Sequence, residues 1–244
     1  MIAARWAMLA IAGMLMLAAF GATHLQPSAL RFTVTAIVGL FAPLCWPGNA
    51  ATPARTALRI AAWSIAVACL AALALQIAGN PGQPFARILA ACGMLLLILL
   101  VTHAVAAALE ERLRHQSGDV AAAREKAGRL TMLALALLGA LPLWLGPASE
   151  LLAGRHPWII DAVIGVSPLT HLAVASGNDL LRNPWLYQHS NLAALQFTYP
   201  GLADLAVAYA SVLLLLVLFA LAPLRRRRSI DRHGPNNLTM EQGK

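Results

Sequence analysis

Residues 158–177, WIIDAVIGVSPLTHLAVASG, decide how the rest of the chain is read. The stretch is too apolar for an ordinary exposed loop, yet Asp161, His171 and a mid-segment Pro168 are all awkward in a lipid-facing helix. Pro168 has no N–H to give to a helix, and it drives Ser167 toward an extended conformation. Ser-Pro is therefore expected to form the apex of a helix–turn–helix hairpin. A broken backbone at membrane depth survives only where other helices or a water-filled cavity cover it, so the hairpin should be tucked against a bundle.

The surrounding chain has a membrane composition. Of 244 residues, 59% are hydrophobic and 11% charged, against roughly 25% charged in an ordinary soluble domain. Leu and Ala dominate the apolar runs and aromatics stand at 6%, which suits compact helices with small contact faces. Cys45, Cys69 and Cys92 fall inside apolar runs without CxxC spacing, so they read as packing residues. About 20 apolar residues of helix cross a hydrocarbon core of roughly 30 Å. On that rule six spans are expected, over 6–22, 32–46, 60–79, 88–109, 130–145 and 202–224. Arg5 makes a weak leader for a cleaved signal, and the second run follows closely, so the first is expected to stay as a span.

Lys and Arg fix the orientation. With the N-terminus inside, fourteen of the eighteen fall on inner segments, and only Arg31, Arg87, Arg155 and Arg182 on outer ones. Both termini are then cytoplasmic, and the four arginines at 225–228 close the last span. The net charge of +8 is accounted for by topology, and nucleic acid is not expected as a partner. Were 158–177 to cross completely, those arginines would face outward. The hairpin is thus expected to be re-entrant, within the outer connection 146–200 between the fifth and sixth helices. The fold class that follows is all-α: one transmembrane domain over 1–224, with a basic, disordered cytoplasmic tail at 225–244. Trp185, Tyr187, Phe197 and Tyr199 should settle at headgroup level. The inner link 110–129 reads as a solvated helix extension, with Asp119 as N-cap and Gly128 near the end of its helix. Its functional alternative is docking of a cytoplasmic partner through Arg112, Arg114, Arg124 and Lys126.

Little in the chain carries chemistry. Only His103 lies within a span, which leaves a bis-histidine haem without a second ligand. His156, His171 and His189 sit on the outer side and are the candidate metal ligands, but spacings of 15 and 18 match no ligand pattern. The outer carboxylates Asp161, Asp179 and Asp204 do not repeat at helical spacing, and there is no Walker motif or serine nucleophile with a partner histidine. No catalytic residue, resident metal or cofactor is expected.

The order of elements resembles the membrane subunit of ABC-2-type exporters: six spans with both ends inside, a proline-bearing fifth helix, an outer re-entrant hairpin, and a last helix ending in basic residues. IGVSPLTHLAVASGNDLLR, residues 164–182, is similar to the family's apolar run followed by Asn or Ser, Pro and Leu and onward through His to Arg. The resemblance implies a multi-pass permease subunit of the cell inner membrane. Such a subunit forms a homo- or hetero-dimer and is powered by a separate cytoplasmic ATP-binding subunit, so that hydrolysis is not in this chain. Residues 164–171 would line an external gate, with Ser167 and Pro168 setting the bend and Asp161 pairing with His171 on its polar side. The residues alone leave other readings open. Asp161 can be a surface group and His171 a donor to a carbonyl freed by Pro168. The chain can also be the membrane subunit of a metal- or cofactor-handling complex using the outer histidines, or a structural subunit of a larger assembly.

Overall fold

The computed structural model describes Gly13 and residues 25–78, 84–144, 158–180 and 198–231, with side chains as far as Leu218. The first expected span apart from Gly13, the aromatic stretch with Trp185, Tyr187 and Phe197, and His156 and His189 lie outside the described residues. Every regular element among the described residues is helical. In chain order they are α1 (Pro27–Phe41, continued by a 3-10 turn Ala42–Cys45), α2 (Pro53–Ala78), α3 (Phe85–Ser117), α4 (Val120–Gly139), α5 (Leu141–Trp144), α6 (Trp158–Val166), α7 (Pro168–Ser176) and α8 (Leu202–Asp231).

Three of these are long and apolar enough to cross a membrane: Pro27–Cys45, Pro53–Ala78 and Phe85–Ser117. They are the second, third and fourth expected spans. The other expectations meet shorter elements. Charges fill the first half of α4, and its apolar part from Leu130 to Gly139 measures only about 15 Å. The described apolar part of α8 is Leu202–Leu218. That helix itself continues to Asp231, through the first residues of the stretch expected to be a disordered tail.

Helix α3 is the hub, in contact with α1, α2, α4, α7 and α8. Its neighbours meet it with small residues. α2 buries Ser64, Ala68, Ala71 and Ala74, and α4 buries Ala123, Ala127, Gly128 and Thr131. In lipid, where tails are as apolar as Leu, close backbone approach is what makes helices associate, and small side chains permit it. Gly128 shows the limit of the approach: a Cβ there would stand 2.8 Å from the Pro43 carbonyl oxygen. It is thus a contact glycine in mid-helix, where the sequence suggested a helix end.

The inner link is two helix ends and little else. α3 runs on through the charged residues to Ser117, and Gly118 closes it with its N–H on Arg114 O. Asp119 then caps α4, its Oδ1 accepting from Ala121 N at 2.8 Å and Ala122 N at 3.2 Å. The N-cap reading of Asp119 holds, and the link proves to be a continuation of its flanking helices.

Candidate functional site

Helices α6 and α7 meet at Ser167 with a bend of 79°. The local chemistry follows from the residues. Pro168 at the first position of α7 costs no hydrogen bond, because that N–H would be unused anyway. Ser167 is the N-cap, its Oγ accepting from Thr170 N at 3.5 Å while donating to Gly139 O, at the end of α4, at 2.8 Å. The break frees carbonyls on α6, and side chains from the next turn take them up. Thr170 Oγ1 donates toward Ile164 O at 2.8 Å and Ser167 O at 2.7 Å, and His171 Nε2 lies 3.0 Å from Gly165 O. In a medium without water each orphan would cost on the order of several kcal/mol, so this elbow is a self-satisfied unit.

The other end of α7 is closed as tightly. Gly177, at φ +68°, adopts the left-handed conformation that a side chain resists. Gly177 N donates to Val174 O at 3.1 Å and Asn178 N to Ala173 O at 2.9 Å, the two bonds of a Schellman motif. Buried Arg31 of α1 then donates from Nε and Nη2 to Ser176 O at 3.1 and 3.0 Å. The Arg87 guanidinium of α3 stands beside Gly177, 3.6 Å from where its Cβ would be. Two cations thus face the negative end of one short helix. Arg31, which the sequence presents only as an exception to the charge asymmetry, ties α7 to α1, and Arg87 of α3, another such exception, stands beside the same helix end.

His171 carries the third tie. Its Nδ1 lies 2.9 Å from the Tyr209 hydroxyl of α8, and the rings meet edge-on at 5.6 Å. A carbonyl only accepts, so Nε2 donates to Gly165 O; in the neutral ring Nδ1 then accepts from Tyr209. Both ring nitrogens are engaged, and the expected Asp161–His171 pair does not form. Asp161 is exposed, on the far arm of the elbow. Its surface reading and the carbonyl-donor reading of His171 are the ones the geometry matches. The same engagement leaves His171 no nitrogen for a metal, and no group of three potential ligands gathers among the described residues.

A half-open cavity of about 250 Å³ lies at the elbow, walled by Gly39 and Leu40 of α1, Ile98 of α3, Ala136 of α4, and Pro168 and Leu172 of α7. Leu40 and Ile98 lie nine and eleven residues beyond Arg31 and Arg87 on their helices. At 1.5 Å per residue the elbow is therefore roughly 14–17 Å below the arginine clamp, about half of a roughly 30 Å core.

A second polar cluster sits at the opposite end of the bundle. Glu110 of α3 is 2% exposed, and it accepts from Trp46 Nε1 at 2.9 Å and from Asn49 N at 3.0 Å. Asn49 Nδ2 donates to Ala107 O at 2.9 Å, and Trp46 stacks on fully buried His103, centroids 5.5 Å apart. His103 Nδ1 lies 2.9 Å from Ser64 Oγ, while the buried Nε2 has no hydrogen-bond partner among the described residues. Arg59 Nη1 donates to Gly48 O at 2.9 Å and Arg124 Nη1 to Pro47 O at 3.1 Å. Gly48, at φ +88°, has no room for a Cβ between Arg124 and Glu110. The turn between α1 and α2 is thus pinned to α3 and α4. Of the four expected docking residues, Arg124 is spent on this turn. Arg112 and Lys126 are exposed, and Arg114 is exposed with an ion pair to Glu111 at 3.1 Å. The sequence did not single out Glu110; its partners lie 61 and 64 residues away, and no spacing rule reaches so far.

Comparison of the chain with protein-family models, curated proteins and solved structures finds no match.

Proposed function

We propose that this chain is the permease subunit of an ATP-driven exporter in the cell inner membrane, with α6 and α7 forming a re-entrant hairpin that gates its outer side. The observation that carries the reading is the elbow. Each arm has nine residues, about 13 Å of helix, and with the 79° bend the pair reaches end to end only about 21 Å, short of a roughly 30 Å core. A segment too short to cross, with its apex at mid-depth, fits one that turns back. The arginine asymmetry independently asks for the same return.

In this reading Ser167 and Pro168 set the bend, and His171 ties the moving arm to α8. Asp161 lies on the other arm, toward the substrate path. A cytoplasmic ATP-binding subunit supplies the energy, and two permease subunits, alike or different, enclose the path. The exposed Arg112, Arg114 and Lys126 on the ends of α3 and α4 offer it a docking surface, and Arg124 supports that surface from beneath. The substrate is unassigned.

Two experiments test this. In a variant with Cys45, Cys69 and Cys92 changed to Ala, Trp158→Cys and Asp179→Cys should each react with a membrane-impermeant maleimide from outside only. Reaction of one from outside and the other from inside would mean the segment crosses. Affinity purification of the tagged chain should recover an ATPase whose hydrolysis depends on it, and Pro168→Ala should reduce export more than membrane insertion. Recovery without any ATPase would remove the exporter reading while leaving the hairpin intact.

A further inference from the structure

The geometry points to a lipid site: we propose that the cavity at the elbow holds one hydrocarbon chain of a bilayer lipid, entering sideways between α1 and α4. This rests on the membrane placement of the helices and not on the exporter reading. Its walls are the six apolar residues named above together with other apolar side chains. Gly139 O, where α4 ends beside it, is already taken by Ser167 Oγ at 2.8 Å.

Water is excluded on this ground, since a buried water needs two to four polar partners. An empty space is disfavoured too, because its lining would forfeit dispersion contacts on one side. What remains at mid-depth of a bilayer is hydrocarbon. Size agrees: a dry apolar cavity of roughly 150 Å³ already takes up benzene, and this one is about 250 Å³. A helix of a second copy, at about 10 Å across, is too wide for it.

Two of the helices that wall the cavity, α1 and α4, also carry exposed apolar side chains. Phe41 of α1 and Leu133 and Leu137 of α4 are 46%, 52% and 52% exposed. The recess itself is cut by small residues, Ala36 and Gly39 on one side and Ala136 and Ala140 on the other. A Cβ at Gly39 would meet Leu95 Cδ1 at 3.2 Å and the cavity-lining Leu172 Cδ1 at 3.9 Å. The site is therefore a notch built into two adjacent helix faces, with the elbow as its floor.

The test uses the full chain in vesicles containing a phosphatidylglycerol with a photoreactive diazirine at mid-chain, and peptide mapping of the adducts. Adducts at 36–40, 135–140 and 168–172 should exceed those at exposed Ile65 and Leu73 of α2 by about tenfold, the ratio worth ~1.4 kcal/mol. Ala136→Phe, or Ala36→Leu should that variant fail to fold, should abolish the excess and leave the α2 adducts unchanged. Equal labelling of both faces, or an excess that survives both variants, would overturn the proposal. So would efficient disulfide formation between two copies carrying Ala136→Cys.

Discussion

Replacing Arg31 with Met should release the C-terminal end of α7 while leaving the bundle assembled. Arg31 donates two hydrogen bonds to Ser176 O. Removing it orphans that buried carbonyl, at about 1–3 kcal/mol, and withdraws a favourable charge from a helix C-terminus, at about 0.3–1 kcal/mol. Part of this is offset, because a buried guanidinium beside Arg87 is itself costly and Met fills similar space. A net loss of about 2 kcal/mol in the local opening of α7 corresponds to about 30-fold faster amide exchange. Hydrogen–deuterium exchange of the protein in nanodiscs, read peptide by peptide, should show this rise across 168–178. The amides of α2 should not change. Arg31→Lys keeps the charge but not the fork, so it should fall between the two. Exchange in α7 within threefold of the parent protein, or an equal rise in α2, would refute the clamp as the reason α7 stays docked.

Three further outcomes follow from the contacts. Glu110→Ala leaves two buried donors, Trp46 Nε1 and Asn49 N, without an acceptor, and should cost about 2–5 kcal/mol in reversible unfolding. Glu110→Gln keeps an acceptor and should cost under half of that, with the Trp46 emission shifted only in the Ala variant. Gly128→Ala gains up to about 1 kcal/mol of helix propensity. It also forces a Cβ to 2.8 Å from the Pro43 carbonyl, and overpacking at about 1–3 kcal/mol should prevail, seen as a lowered melting temperature. Ser167→Ala removes the N-cap and the bond to Gly139 O. It should destabilise the elbow by about 1–2 kcal/mol, read as faster exchange at Thr170 without change in α3.

Hydropathy located the three long helices well because burial in lipid is what selects those residues, and it misplaced their ends for the same reason. α3 continues from its apolar run into EERLRHQS, since Glu, Arg and Leu are good helix formers whatever the solvent. The Ser-Pro elbow was legible because a missing N–H acts locally, and so was the Asp119 cap. The pairings that hold the elbow were not. Arg31 and Ser176 are 145 residues apart, and a lone arginine near a span end reads as topology. The Asp161–His171 pairing failed because the carbonyl freed one turn earlier on α6 lay nearer to His171 than any carboxylate. Gly128 looked like a terminus because only the neighbouring backbone, invisible in the sequence, gives it another purpose.

That close approach of Gly128 to Pro43 also divides α4 into two arms. The helix is unbroken from Val120 to Gly139, and the tight spot lies between its ends. The arms, from Asp119 to Gly128 and from Gly128 to Gly139, are roughly 14 and 17 Å at 1.5 Å per residue. Arg124 ties the first arm to Pro47 and Ser167 holds the end of the second, so one uninterrupted rod joins the α1–α2 turn to the elbow.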